Sequence, residues 1–239
     1  LFEHPSPQGL AVQLAGLTAD SVYSPPLPLR TTGANPALFY IHLAGGFATR
    51  LSPITKTIPK SLLEVAGEPF IAHQLRELAR QGIGDVVLCV GHLGKQIEEF
   101  VQDGSEYGLC VQYSYETKNL LGTGGAIKNA LHLLNDEFFI LYGDSWLEID
   151  YCSVYESFYK SSCSALMTVF RNEGRRDASN VEMDGKRIKL YSKTRRNPRM
   201  THIDYGLGIL KQEVFRYGVQ TDCCKNTYRT FLYLRTREN

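Results

Sequence analysis

The sequence predicts an α/β fold, a three-layer domain around a mostly parallel sheet. Three observations predict it. Short, continuous apolar runs such as "DVVLCV" (85–90) and "EFFILYGD" (137–144) are the mark of strands buried on both faces. Amphipathic helical patterns alternate with those runs from residue 38 to residue 144, as in βαβ units. The Gly- and Pro-bearing loops fall just after the predicted strands, at the edge where open α/β sheets bind ligands.

"LFYIHLA" (38–44) reads as a strand, and the Gly-, Pro- and polar-rich residues 45–64 read as loop. "PFIAHQLRELARQG" starts with Pro69 and stops at Gly82, with Phe70, Ile71, Leu75 and Leu78 on one helical face. The strand at 85–90 follows, then a polar helix over 94–104 and a strand over 109–116. "GTGGAIKNALHLL" (122–134) opens on glycines and becomes a helix; 137–144 is a strand ending on a carboxylate. The pattern then changes. A helix over 150–162, a strand over 164–170, a hairpin over 179–193 turning at Asp184-Gly185, and a strand over 201–210 suggest a smaller α+β lobe on the same sheet.

Composition bounds the function classes. The 26 basic and 25 acidic residues leave a net charge of +1, so no single-sign field argues for nucleic acid or an anionic membrane surface. No apolar run reaches the length of a membrane span. Cys89 and Cys110 lie in predicted strands and read as small buried hydrophobes. No Cys-x-x-Cys occurs, the adjacent Cys223-Cys224 lacks zinc-site spacing, and a reducing cytoplasm is the expected location. Residues 1–37 hold six prolines and no sustained period, so an irregular extension foreign to the domain is expected there.

The chemistry concentrates in "HLAGGFATRLSPITKTIPKSLLEV". A strand followed by Ala44-Gly45-Gly46 exposes backbone N–H groups that suit phosphate oxygens. Arg50 adds a guanidinium fork, and Lys60, after Pro59, a point charge. Two cations beside a Gly-rich loop suit a polyphosphate whose charge shifts during reaction. The competing reading is a tight turn with two solvated basic residues. The glycine spacing matches neither a P-loop nor a dinucleotide fingerprint. Asp144 at a strand end suits Mg²⁺ held against phosphate oxygens, or simply caps the next turn. Gly122, Gly124 and Gly125 at a helix start allow a flat base or ribose to approach; an N-cap at Thr123 is the alternative.

Taken together, "LAGGFATRL", "TIPKSLLEVAGEPFI", "LGTGGAIKNAL" and "FFILYGDS" resemble the sugar-phosphate nucleotidyltransferase family over roughly residues 39–215. Within that family the chain is similar to the heptose-1-phosphate and mannose-1-phosphate guanylyltransferases. The resemblance implies a Rossmann-like, GT-A-like nucleotidyltransferase fold. Residues 38–144 would form the nucleotide half and 145–215 the sugar-phosphate half. It implies a reaction joining a nucleoside triphosphate, GTP first, to a sugar 1-phosphate with release of pyrophosphate, and Mg²⁺ as cofactor. Gly45 and Gly46 would cradle the phosphates, with Leu43 and Ala44 lining the base or ribose site and Gly125 lying against it. Arg50 would grip the β- and γ-phosphates. Lys60 would sit between the α-phosphate and the sugar phosphate, and Asp144 would bind the metal. Lys193 would contact the sugar phosphate, and Asp204 and Gly206 would line the sugar pocket.

The chain also departs from the family. Ser192 stands where the family has a Glu that holds sugar hydroxyls, and His42 where it has an aliphatic residue. Residues 216–239 read as an atypical tail in place of the family's C-terminal part, which supplies a second metal-binding Asp; Asp222 does not inherit that role. Two rival functions follow. One is a nucleotide-binding or regulatory homologue with weak turnover; the other is a transferase using dTTP, UTP or CTP, or a non-sugar acceptor.

Overall fold

A computed structural model describes residues 39–43, 54–116, 122–147, 149–161, 163–172, 178–184, 187–192 and 195–215. The segments 1–37 and 216–239 lie outside them. In chain order the strands are β1 (Phe39–Leu43), β2 (Glu64–Val65), β3 (Glu68–Pro69), β4 (Asp85–Val90), β5 (Cys110–Tyr115), β6 (Glu137–Tyr142), β7 (Ala165–Arg171), β8 (Val181–Asp184), β9 (Arg187–Tyr191) and β10 (His202–Lys211). The α-helices are α1 (Phe70–Arg80), α2 (Gly94–Val101), α3 (Gly122–Ala130) and α4 (Tyr151–Ser161). Among the described residues no helix is long and apolar enough to cross a membrane.

One sheet runs in the order β5-β4-β1-β6-β10-β8-β9, with β7 also paired to β10. β1 lies between β4 and β6, parallel to both, and β4 is parallel to β5. β10 is antiparallel to β6, β7 and β8, so the sheet changes character at β6. Even side chains of β4 and odd ones of β6 and β10 pack on α1, α2 and α4, through Ile71, Leu75, Leu78, Ile97, Leu88, Phe139, Tyr151, Phe158, Leu207 and Ile209. The opposite parities, with Val87, Cys89, Phe138, Ile140 and Leu210, pack on α3 through Ala126, Ile127 and Ala130. This is the three-layer α/β arrangement that the two-faced apolar strands predicted.

Three local features differ from the sequence reading. Residues 64–69 form a miniature hairpin, turning at Ala66 and Gly67 with φ of 52° and 86°. Two-residue strands carry no readable period, so only the turn chemistry marks it. Cys110 is exposed rather than buried. It opens β5, the edge strand, where Val111 and Ser114 face inward and Cys110 does not. Thr123 lies inside the first turn of α3, which already runs at Gly122, and does not precede the helix.

Candidate active site

The parallel strands end at one edge, and the register brings Leu43 beside Tyr142 there. β10 runs the other way, with Leu207 opposite Leu141, so the residues just before Leu207 reach the same edge. At that edge Lys60 and Asp144 meet. Lys60 Nζ donates to Asp144 Oδ2 at 2.7 Å, across 84 residues of sequence. Both are partly open to solvent, with 21% and 34% of the side chains exposed. Lys60 opens a single 3₁₀ turn, Lys60–Leu62, behind Pro59, whose fixed φ sets its direction.

Asp144 is the third residue of a tight turn, closed by the Ser145 N–H donating to the Tyr142 carbonyl at 3.0 Å. Helix α1 reaches this turn through Gln74, which is 2% exposed. Its Nε2 donates to the Ser145 carbonyl at 2.8 Å and approaches the Tyr142 carbonyl at 3.4 Å. From the other side comes Gly206, with φ of +101°; a Cβ there would lie 2.5 Å from Ser145 Oγ. Trp146 follows, edge-on to His73. Ser61 Oγ and Trp146 Nε1 are buried donors with no hydrogen-bond partner among the described residues. Ser61 follows Lys60 in the chain, and Trp146 lies two residues after Asp144.

Asp204 is tied into its surroundings. Its Oδ1 accepts from the Gly206 N–H at 3.0 Å, and Tyr191 Oη approaches Oδ2 at 3.5 Å. Burial first, and then the Asp204 carboxylate, push the Tyr191 hydroxyl well above the ordinary tyrosine range, so it stays protonated and donates. The Asp204 N–H donates to Asn180 Oδ1 at 3.1 Å. Asn180 also donates its N–H to the His202 carbonyl and accepts from the Ser192 N–H, each at 2.9 Å. One asparagine thus joins β10 to the residue that precedes Lys193. Nearby, the buried Glu182 carboxylate is matched by Arg199 at 3.2 Å, Lys189 at 3.7 Å and Asn197 at 2.9 Å.

The structure therefore brings Lys60, Asp144 and Gly206 to one edge, with Asp204 two residues from Gly206 on the same strand. Gly125 is half-buried in the first turn of α3, and α3 follows β5. Leu43 ends β1. Ala44, Gly45, Gly46, Arg50 and Lys193 lie outside the described residues. Among the described residues no three His, Cys, Asp or Glu side chains cluster to hold a metal. Asp144 offers one carboxylate, half of it already engaged by Lys60. That donor set fits a hard cation only if phosphate oxygens and water complete its shell. Cys89 is no nucleophile; burial pushes its thiol up to about 12.

Sequence reasoning missed Gln74, Ser145, Asn180 and Tyr191. Gln74 left a signal: it is a polar residue at a stripe position between Ile71, Leu75 and Leu78. The other three act through backbone contacts or a side chain from a distant strand, which one sequence does not display.

A model of the family described as nucleotidyl transferase matches residues 40–222. The chain belongs to the nucleotidyl transferase family. It is 40% identical over 116 residues to the N-acetylmuramate alpha-1-phosphate uridylyltransferase of Neisseria meningitidis serogroup B, covering 48% of this chain and 50% of that protein. It is also 40% identical over 110 residues to the D-glycero-alpha-D-manno-heptose 1-phosphate guanylyltransferase of Campylobacter jejuni, covering 46% and 49%. The chain spans about half the length of these curated relatives. Among solved structures, HddC from Yersinia pseudotuberculosis complexed with GMP-PN is 25% identical with a TM-score of 0.64, covering 77% of this chain and 81% of that one. The relation to heptose- and mannose-1-phosphate guanylyltransferases read from the motifs is borne out, and so is the Rossmann-like fold.

Proposed function

We propose that this protein is a sugar-1-phosphate nucleotidyltransferase that uses a nucleoside triphosphate, with GTP favoured, and releases pyrophosphate. The observation that carries the reading is the 2.7 Å contact between Lys60 and Asp144. The residues that the motifs assign to the reacting phosphates and to the metal meet at the ligand-binding edge of the sheet. Relatives that name a uridylyl and a guanylyl transfer match at the same 40% identity. The preference for GTP rests on the guanylyltransferase-like motifs.

In this reading an oxygen of the sugar phosphate attacks the α-phosphorus in line. The new P–O bond forms as the α–β bridging P–O bond breaks, and pyrophosphate leaves with that electron pair. The protein contributes positioning and charge. Gly45 and Gly46 cradle the triphosphate, and Arg50 holds the phosphates that leave. Lys60, released from Asp144, turns its ammonium to the α-phosphate, where negative charge gathers. Asp144 then has both carboxylate oxygens for a divalent cation. Bound magnesium supplies charge neutralisation at the phosphate oxygens. Lys193 meets the sugar phosphate, and the Asp204–Gly206 bend shapes the sugar pocket.

A competition binding series over GTP, UTP, dTTP and CTP, followed by pyrophosphate release with a panel of sugar 1-phosphates, tests the proposal. One triphosphate should bind best, and one acceptor should release pyrophosphate in a magnesium-dependent way. Tight triphosphate binding with no release for any acceptor would support a regulatory homologue instead.

A further inference from the structure

We propose that Gln74 is a positioning residue for this reaction: it clamps the Tyr142–Ser145 turn from helix α1 and thereby holds Asp144 in place opposite Lys60. The inference rests on the nucleotidyltransferase reading and adds a residue to which the motifs give no role. A glutamine on the apolar stripe of a helix is costly unless its amide is satisfied. Here the side chain is 2% exposed, and its Nε2 reaches the carbonyls at both ends of the turn, at 2.8 Å and 3.4 Å. Asp144 lies between those two carbonyls. Its own side chain is partly solvated and held by a single lysine, and Gly143 before it adds backbone freedom. The turn is therefore fixed from outside. α1 grips its backbone, and the missing side chain at Gly206 leaves room for Ser145 on the opposite side. Replacing the amide with an apolar group leaves the buried Ser145 carbonyl without that donor, so the turn loosens where the carboxylate must be placed.

Trp146 makes this measurable. It is the single tryptophan of the chain, two residues after Asp144 and edge-on to His73, the neighbour of Gln74. The test compares the native chain with Gln74→Met, which keeps length and loses the donor. Ser161→Ala serves as a control; it removes a buried hydrogen bond to the Phe158 carbonyl at the end of α4. Acrylamide quenching of Trp146 in the free protein should rise about twofold or more in Gln74→Met, as local opening increases, and stay native-like in Ser161→Ala. Magnesium titrated in the presence of guanosine 5′-(β,γ-imido)triphosphate, read by the same fluorescence, should show its midpoint raised about tenfold in Gln74→Met, the loss typical of a removed supporting contact. Native quenching in Gln74→Met overturns the proposal. So does an unmoved magnesium midpoint in a variant whose Tm has fallen, because the residue is then only packing. If the native chain shows no magnesium-dependent response to any triphosphate, the functional reading fails. The quenching comparison, which needs no nucleotide, still decides the role of Gln74.

Discussion

On one side of β6 the sheet is parallel, and on the other it is antiparallel. The parallel side carries the proposed site residues after its strands: Lys60 follows β1, Gly125 follows β5 and Asp144 follows β6. The antiparallel side delivers Asp204 and Gly206 from inside β10, where the pairing with β7 shifts register between Asp204 and Gly208. A residue in a loop answers to its local turn. A residue inside a three-way-paired strand answers to every neighbour in the ladder. The two sides should therefore fail differently when altered: the first loses activity and keeps stability, and the second loses both.

The largest effect should come from the first side. Lys60→Met and Asp144→Asn each break the 2.7 Å pair while keeping most of the side-chain volume. Turnover should fall by about 10²–10³-fold, the usual scale for removing one group that stabilises developing charge. Unfolding free energy should change by no more than about 1 kcal/mol, because the pair is partly solvated. Steady-state kinetics and urea melts on the same preparations check this. A fall in stability large enough to account for the lost turnover would erase the distinction between the two sides.

Gly206→Ala tests the second side. The new Cβ would sit 2.5 Å from Ser145 Oγ and 3.1 Å from Ser145 Cβ, on a backbone with φ of +101°. The conformation alone should cost about 1–3 kcal/mol. Turnover should fall as well, because a displaced Ser145 carries Asp144 with it. Adding Ser145→Ala removes the closest contact and should restore part of the stability, while the backbone strain stays. If Gly206→Ala lowers turnover with an unchanged urea midpoint, β10 behaves like a loop and the contrast is wrong.

The same contrast explains what was legible beforehand. Continuous runs such as Asp85–Val90 and Glu137–Tyr142 announced buried parallel strands, because both faces are covered. Lys60 and Asp144 could be singled out because loops after parallel strands must share an edge. Their direct contact could not, since it depends on two turns closing toward each other. On the antiparallel side, Asp204 and Gly206 came from motif likeness, and the Asn180 and Tyr191 contacts that hold them went unseen. Those contacts cross strands, and their partners have no fixed spacing in sequence. The Ala66–Gly67 hairpin was missed for a different reason: its strands are shorter than one alternation.

The smallest effect should come from a second ion pair on the parallel side, Glu68 with Arg76. It links the β2–β3 hairpin to α1, and about half of each side chain is exposed, 44% and 48%. This pair should influence neither turnover nor, to any large extent, stability, since it lies outside the edge and is well solvated. Glu68→Gln should leave turnover native and cost less than about 1 kcal/mol at neutral pH. The pH dependence fixes the sign. The hydrogen bond from Arg76 holds the Glu68 carboxyl below its ordinary value of 4.5. A carboxylate with a lowered folded value stabilises the protein fully above 4.5 and ceases to do so as pH falls through the lowered value. The Tm gap between native and Glu68→Gln proteins should thus be small and constant at pH 6–8 and close as the pH drops below 4.5. A gap that widens in acid, or a variant with impaired turnover, would show that the hairpin transmits to the site. The parallel side would then be no freer of its framework than β10.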